Sequence, residues 1–303
     1  MDDDSEREPC LWITEHLTPY GTVSHGVKQL FASKQTKYQS MIIADIGPYG
    51  KALVLDGRIQ TTTGDEYLYH EPIIHLPSLL HGGPKKVLIL GGADLGAARE
   101  ALKWKSVEQV VVIDIDGDVV ELCAQYLPEI AQDCSDDERC KLIVGDALKY
   151  IDETDETYDV IIGDLTDPIE NGPSIELFTR SFYEKVKRCL NKSGVYVTQA
   201  GTISLREEKV FPRVANTLKT LFKEVVPFSS FIPTYGTPLG FLASSDSKLV
   251  TKLTADEINE KLDSDLHNGR ETLKFLDGTS FLGLLGLPAN VRASIQSEST
   301  VYK

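Results

Sequence analysis

The chain has 303 residues, of which 41% are hydrophobic and 25% charged, with a formal net charge of −15. No apolar run approaches the ~18 residues a membrane helix needs, and this composition opposes wholesale disorder. The acidic balance opposes nucleic acid and anionic membrane surfaces as partners, and by long-range attraction favours small cations.

The start, Met1-Asp2-Asp3-Asp4-Ser5-Glu6, is the opposite of a basic, apolar signal peptide, so a cytoplasmic protein with a flexible segment at 1–9 is expected. The five cysteines (Cys10, Cys123, Cys134, Cys140, Cys189) include no C-x-x-C pair and read as reduced thiols. From Leu11 to Gln60, short β-favouring runs alternate with turns: Tyr38 to Ile46, Lys51 to Leu55, and Arg58 to Thr62 after the hairpin signal Asp56-Gly57. These predict a small antiparallel β domain over 1–76. Asp65 to Leu80 reads as mixed helical, interrupted at Pro72 and Pro77.

From residue 77 to 303 the pattern predicts a second domain, an α/β doubly wound, Rossmann-like sheet. Strands over Val87–Leu90, Val110–Ile113, Leu142–Val144, Val160–Ile162 and Val195–Thr198 are separated by amphipathic stretches such as Val119 to Leu127 and Phe178 to Leu190. The first of these strands runs into Gly91-Gly92-Ala93-Asp94-Leu95-Gly96 and a helix beginning near Leu95. This departs from the pyrophosphate spacing G-x-G-x-x-G, and the carboxylate of Asp94 inside the turn repels phosphate. The turn suits a ligand carrying positive charge.

Ligands of open α/β sheets lie across the carboxyl ends of the strands. Here four successive strands are each followed by an acid: Asp94, Asp114, Asp146, and Asp164 with Asp167. Any one of them is equally well explained as a turn or helix cap. Asp114 stands where ribose hydroxyls are accepted, and Asp146 suits the exocyclic amine of adenine, which can only donate. Asp164-Leu165-Thr166-Asp167-Pro168 offers two carboxylates to an amine. An aspartate near pKa ~3.9 is a weak base toward an amine near ~10.4, so its expected work is to orient the neutral amine and stabilise the charge growing on nitrogen. His70-Glu71-Pro72-Ile73-Ile74-His75 imitates a zinc motif, but histidines five apart on a helix point about 140° from each other. Tyr69 and His70 either face a pocket or are packed aromatics. The apolar tail from Phe281 to Leu287 belongs to an interface or to the core.

Tyr38-Gln39, Val54 to Gln60, Asp65-Glu66, Gly91 to Asp94, Val112 to Asp116, Gly145-Asp146-Ala147, Asp164 to Pro168 and Pro233-Thr234-Tyr235 occur in an order that resembles the polyamine aminopropyltransferases, the spermidine, spermine and thermospermine synthases. The resemblance covers nearly the whole chain beyond its first nine residues. It implies transfer of an aminopropyl group from decarboxylated S-adenosylmethionine to a polyamine, with release of 5′-methylthioadenosine, and no cofactor or metal. It also implies donor contacts at Gln39, His70, Asp94, Asp114, Asp146, Ala147 and Asp164, and acceptor contacts at Trp12, Tyr69, Asp164, Asp167, Gln199 and Tyr235. The family's base position corresponds to Asp164, with Tyr69 as its catalytic companion. A homodimer or homotetramer acting on small cationic polyamines is implied as well.

Asp94 fits this chemistry, since the decarboxylated donor keeps an ammonium and has lost the carboxylate that Asp94 would repel. The same repulsion counts against a methyltransferase using intact S-adenosylmethionine, and the loop spacing against a nicotinamide enzyme. A non-catalytic polyamine-binding protein is the remaining rival, and retention of both Asp164 and Asp167 argues against it. The chain departs from the commoner Gly-Gly-Gly-Asp-Gly-Gly loop at Ala93 and Leu95, which either narrow the donor pocket or reshape the helix start. Leu165 and His70 depart from the Asp-Ser-Ser/Thr-Asp-Pro run and the Gln after the helical Tyr of many spermidine synthases, and Gly236-Thr237-Pro238 stands where Pro-Ser-Gly usually follows the Tyr. Gly163-Asp164-Leu165, Asn171-Gly172-Pro173, Val197 to Gly201 and Thr300-Val301-Tyr302 resemble the thermospermine synthase branch, which implies a spermidine acceptor, with putrescine as the alternative.

Overall fold

The computed structural model describes residues 9–167, 173–204 and 209–303. The acidic start and Pro168, Asn171 and Gly172 therefore lie outside the described residues. The N-terminal part holds a hairpin of β1 (Leu11–Thr18) and β2 (Gly21–Val27) and a separate antiparallel meander of β3 (Gln29–Gln35), β4 (Ser40–Asp45), β5 (Lys51–Leu55) and β6 (Arg58–Thr62). Asp56 and Gly57 both take positive φ, 47° and 76°, which matches the twist a two-residue hairpin turn requires.

Helix α1 (Tyr67–His81) runs unbroken through Pro72 and Pro77, so the expected interruption does not occur. A proline inside a helix strands the carbonyl four residues earlier. For Pro72 that carbonyl belongs to Leu68, and the Ser230 hydroxyl, from a distant strand, donates to it at 2.7 Å. The division expected after residue 76 falls inside this helix, and the β architecture already ends at Thr62.

The seven-stranded sheet contains β7 (Lys86–Gly91), β8 (Gln109–Asp114), β9 (Cys140–Val144), β10 (Tyr158–Asp164), β11 (Leu190–Thr202), β12 (Glu224–Ile232) and β13 (Thr237–Ser245), in the order β12-β13-β11-β10-β7-β8-β9. Neighbours from β11 across to β9 are parallel, and β13 is antiparallel to both β11 and β12. Alternate residues enter opposite cores, which explains why the strands read as unbroken apolar runs. Val87, Ile89, Val110, Val112, Val160 and Ile162 join one cluster; Leu88, Leu90, Val111, Ile113 and Ile161 join the other.

The first layer holds α1, α2 (Gly96–Leu102), α8 (Ala255–Asp265) and α9 (Gly278–Leu284); the second holds α5 (Ala147–Glu153), α6 (Arg180–Arg188), α7 (Val210–Lys219) and α10 (Ala289–Ser297). Helices α3 (Gly117–Tyr126) and α4 (Pro128–Ala131) pack beneath the meander, with Val119, Cys123 and Ile130 against Met41, Ile43 and Leu53. Phe281, Leu284 and Leu287 of the apolar tail are buried in the core, while Leu282 between them is exposed. Among the described residues no helix is long and apolar enough to cross a membrane.

Candidate active site

Strand order reverses at β7, which has β8 and β9 on one side and β10 on the other. The carboxyl ends of these four adjacent strands carry Asp94, Asp114, Asp146 and Asp164. That edge is the switch point at which such sheets bind ligands.

The glycine turn is shaped by what presses on it. Gly91 (φ 89°) pairs with Asp164, and a Cβ there would stand 1.9 Å from the Asp164 carbonyl oxygen. Gly92 (φ 79°) lies against the Asp164 carboxylate, and at Gly96 a Cβ would come within 2.3 Å of the His70 ring. The two departures from the glycine-rich loop turn inward: Ala93 packs with Met41 and Ile43, and Leu95 joins the large core although its φ is 62°. They reshape the helix start, since their side chains are buried in apolar clusters.

Tyr69, on α1, donates to Asp164 Oδ1 at 2.5 Å. Burial, with the charge of Asp94 adding to it, pushes the Asp164 carboxyl up to about 6; the neighbouring His70 and the Tyr69 hydroxyl hold it from rising further. The Tyr69 hydroxyl is itself driven well above its ordinary range, first by burial and then by the Asp164 charge. Asp94 Oδ1 accepts the Gly96 N–H at 2.9 Å and lies 3.7 Å from His70 Nε2. Asp114 is pushed up to about 6, chiefly by burial, with the charges of Asp116 and Asp164 adding to it.

Gln39 reaches the same edge through Asp116, to which its amide donates at 3.1 Å, alongside the Thr36 hydroxyl at 2.6 Å. Asp116 and Thr36 thus orient a predicted donor contact, and neither was singled out on its own. Asp146 caps α5, its Oδ1 accepting from Leu148 N at 2.8 Å and from Lys149 N at 3.4 Å, so the capping explanation holds. Gly145 N donates to the Asp114 carbonyl at 2.8 Å, which sets Asp146 and the partly buried Ala147 beside Asp114.

On the other flank Asp167 pairs with Arg58 at 3.4 Å. Tyr235 donates to the Gln60 carbonyl, and burial raises its hydroxyl well above the ordinary range, with the charges of Asp65 and Asp164 adding to the shift. Asp65 holds the Tyr235 turn in place by accepting from Thr234 N at 3.0 Å. Gln199 is 3% exposed; it donates to the Leu165 carbonyl at 2.6 Å and accepts from Gly201 N at 2.9 Å. It braces the loop that carries Asp164 and presents little surface as a wall. Trp12 is 54% exposed on β1 and donates to the Pro9 carbonyl at 3.2 Å, so it is the predicted contact that no bond brings to the edge.

His70 and His75 have separate partners, as their angular spacing requires: His75 meets Glu100 at 2.8 Å and Trp104 at 3.0 Å, and His70 meets Glu66 at 2.6 Å. Glu66, with no role assigned from sequence, also accepts from Arg99 at 2.8 Å. A separate cavity of about 360 Å³ lies behind this network, lined by Glu66, Arg99, Lys103 and Cys134, and none of the sheet-edge acids borders it.

A family model described as the spermine/spermidine synthase domain matches residues 66–254, and one described as the spermidine synthase tetramerisation domain matches 11–63. The chain belongs to the spermine/spermidine synthase family. A polyamine aminopropyltransferase of Synechococcus sp. (strain JA-3-3Ab) is 41% identical over 96% of this chain and 95% of the relative. One from Sulfurisphaera tokodaii is 36% identical over 96% and 95%. In solved structures, a spermidine synthase in complex with the transition-state analogue AdoDATO superposes with a TM-score of 0.87 at 26% identity, over 96% of this chain and 97% of that one. Spermidine synthase from Thermotoga maritima gives 0.85 at the same identity and coverage. The fold expected of this synthase family, an antiparallel N-terminal part followed by a Rossmann-like sheet, is the one observed.

Proposed function

We propose that this aminopropyltransferase uses spermidine as its acceptor, giving a tetraamine, thermospermine or spermine, and 5′-methylthioadenosine. The observation that carries the chemistry is the Tyr69–Asp164 hydrogen bond beside Asp94 at the strand-order reversal. Gln39, Asp114, Asp146 and Ala147 hold the adenosine part of decarboxylated S-adenosylmethionine, and Asp94 with His70 receives its ammonium. Asp164, Asp167, Tyr69 and Tyr235 hold the acceptor, with Trp12 at the rim and Gln199 as the brace beneath.

The acceptor nitrogen attacks the methylene next to the sulfonium. A C–N bond forms, the C–S bond breaks, and its electrons stay on sulfur as the neutral thioether. The positive charge passes to nitrogen, which then loses a proton. Asp164 as carboxylate orients the neutral amine and stabilises that charge, and the donated Tyr69 hydroxyl favours the ionised form. The sulfonium is already a good leaving group, so this reading calls for no metal or resident cofactor.

The spermidine preference rests on Leu165, whose apolar side chain replaces the polar residue of many spermidine synthases, and on the 197–201 and 300–302 segments. The protein acts in the cytoplasm as a homodimer or homotetramer built on its N-terminal strands, where Leu11, Trp12 and Leu30 are exposed. Chromatographic identification of the product with equal spermidine and putrescine tests the acceptor. A tetraamine as main product is expected; spermidine formed from putrescine as main product refutes the preference.

A further inference from the structure

His70 is 2% exposed, and its ring is fixed on three sides. Nδ1 lies 2.6 Å from Glu66 Oε2, which Arg99 also holds at 2.8 Å, so the Nδ1 proton is committed to Glu66 in either charge state of the ring. Gly96 lies against the ring with no room for a Cβ. Tyr69 meets it edge to face, with centroids 5.3 Å apart. Nε2 is thereby aimed at Asp94, at 3.7 Å. The charged groups facing the ring are Glu66 ahead of α1, Asp94 on the β7–α2 turn and Asp164 at the end of β10, opposed by Arg99 through Glu66. Burial alone would lower the ring's proton affinity, but Asp94, Glu66 and Asp164 outweigh it and bring it to about 9.

We propose that His70, as an imidazolium, occupies the place on Asp94 that the donor's ammonium takes, and that the ring surrenders its Nε2 proton to solvent when the donor binds. The inference rests on the donor assignment made above. Without a ligand the imidazolium balances carboxylates crowded at one sheet edge. With the donor bound, an ammonium and an imidazolium would share one carboxylate. Loss of the Nε2 proton removes that repulsion and turns the nitrogen into an acceptor, so the ammonium can donate both to His70 and to Asp94. The Nδ1–H to Glu66 bond is unchanged, and at Asp94 the exchange is one for one: the donor's ammonium enters and one proton leaves, while the donor's sulfonium adds a second positive charge to the acidic edge.

The consequence is a donor site whose affinity depends on pH in a range where the donor's own ammonium does not titrate. Between about pH 7 and pH 8.5, below the ring's titration, affinity for decarboxylated S-adenosylmethionine rises about tenfold per pH unit. 5′-Methylthioadenosine, which has the adenosine and thioether but no ammonium, shows no such slope. Asp164, pushed up to about 6, is already ionised in this range and contributes little to the exchange.

The test is isothermal titration calorimetry of the full-length protein near pH ~7.5 in phosphate and Tris, whose different ionisation heats reveal protons exchanged. The expected result is about one proton released per donor bound, none for methylthioadenosine, and none for the donor with His70→Gln, which leaves Glu66 paired to Arg99. Donor binding with the same heat in both buffers overturns the inference while leaving the enzymatic reading intact. Persistent proton release in His70→Gln also overturns it. Failure of both ligands to bind the wild-type protein overturns the donor assignment, and the inference with it.

Discussion

Replacing Tyr69 by Phe removes one hydroxyl and keeps the ring that packs against Phe241, 5.5 Å away between centroids. The lost contact is the 2.5 Å bond to Asp164, a length typical of O–H···O⁻ pairs. Hydrogen bonds to charged groups contribute about 1.5–3 kcal/mol. Because this one favours the carboxylate, its removal raises the Asp164 titration from about 6 by about 1–2 units, at 1.36 kcal/mol per unit. At pH 7 the ionised fraction then falls from about nine-tenths to between a half and a tenth, so kcat/KM drops about two- to tenfold. The loss is recovered about two units higher in pH, where Asp164 is ionised in both proteins. The assay is the ratio of variant to wild-type kcat/KM for methylthioadenosine release from about pH 5 to about pH 9, in which the titrations of His70 and of the amine, common to both proteins, cancel. A ratio that does not change with pH refutes the claim that Tyr69 acts by holding Asp164 ionised.

Asp164→Asn nearly abolishes turnover while donor binding stays measurable, and near-normal turnover would mean another carboxylate does this work. The same variant is more stable than wild type at pH 7. A carboxyl raised from its ordinary 3.8 to about 6 weakens the fold once ionised, by about 1–3 kcal/mol. That gain, read as Tm or denaturant midpoint, disappears below pH ~4, where the folded and unfolded carboxyls are both protonated. Leu95→Gly relieves a left-handed backbone that costs about 1–2 kcal/mol, but it empties a 7%-exposed core position whose loss costs about 3–5. Net destabilisation of about 2 kcal/mol in urea unfolding is expected, and a stabilised variant would show that strain dominates. Ser230→Ala strips the Leu68 carbonyl of its donor and lowers stability by about 1 kcal/mol; an unchanged midpoint would mean that water satisfies that carbonyl equally well.

What could be read from the sequence was local and periodic. Unbroken apolar strands ending in Asp94, Asp114, Asp146 and Asp164 report burial on both faces and a ligand edge, because strand period and turn chemistry lie within a few residues. Tyr69 and Asp164 could be matched to a known order of motifs, although nothing in their spacing says that they touch. What escaped depends on partners distant in sequence. The continuity of α1 through Pro72 depends on Ser230. The orientation of Gln39 depends on Asp116, and the charge on His70 depends first on Asp94, with Glu66 and Asp164 adding to it. Glu71 accepts three backbone N–H groups at Lys274, Phe275 and Leu276, tying the C-terminal segment to α1, and no short-range pattern announces such a clamp. Leu95 was an ambiguous departure for a related reason: a substitution in a glycine loop does not say which side of the loop the new side chain takes.

The most direct test of the account is to incubate the purified protein with decarboxylated S-adenosylmethionine and measure methylthioadenosine with and without added polyamine. Release is expected only when an amine is present, one molecule for each aminopropylated product, with spermidine the most effective acceptor. Release that is independent of amine, or none with putrescine, spermidine or longer amines, would contradict it.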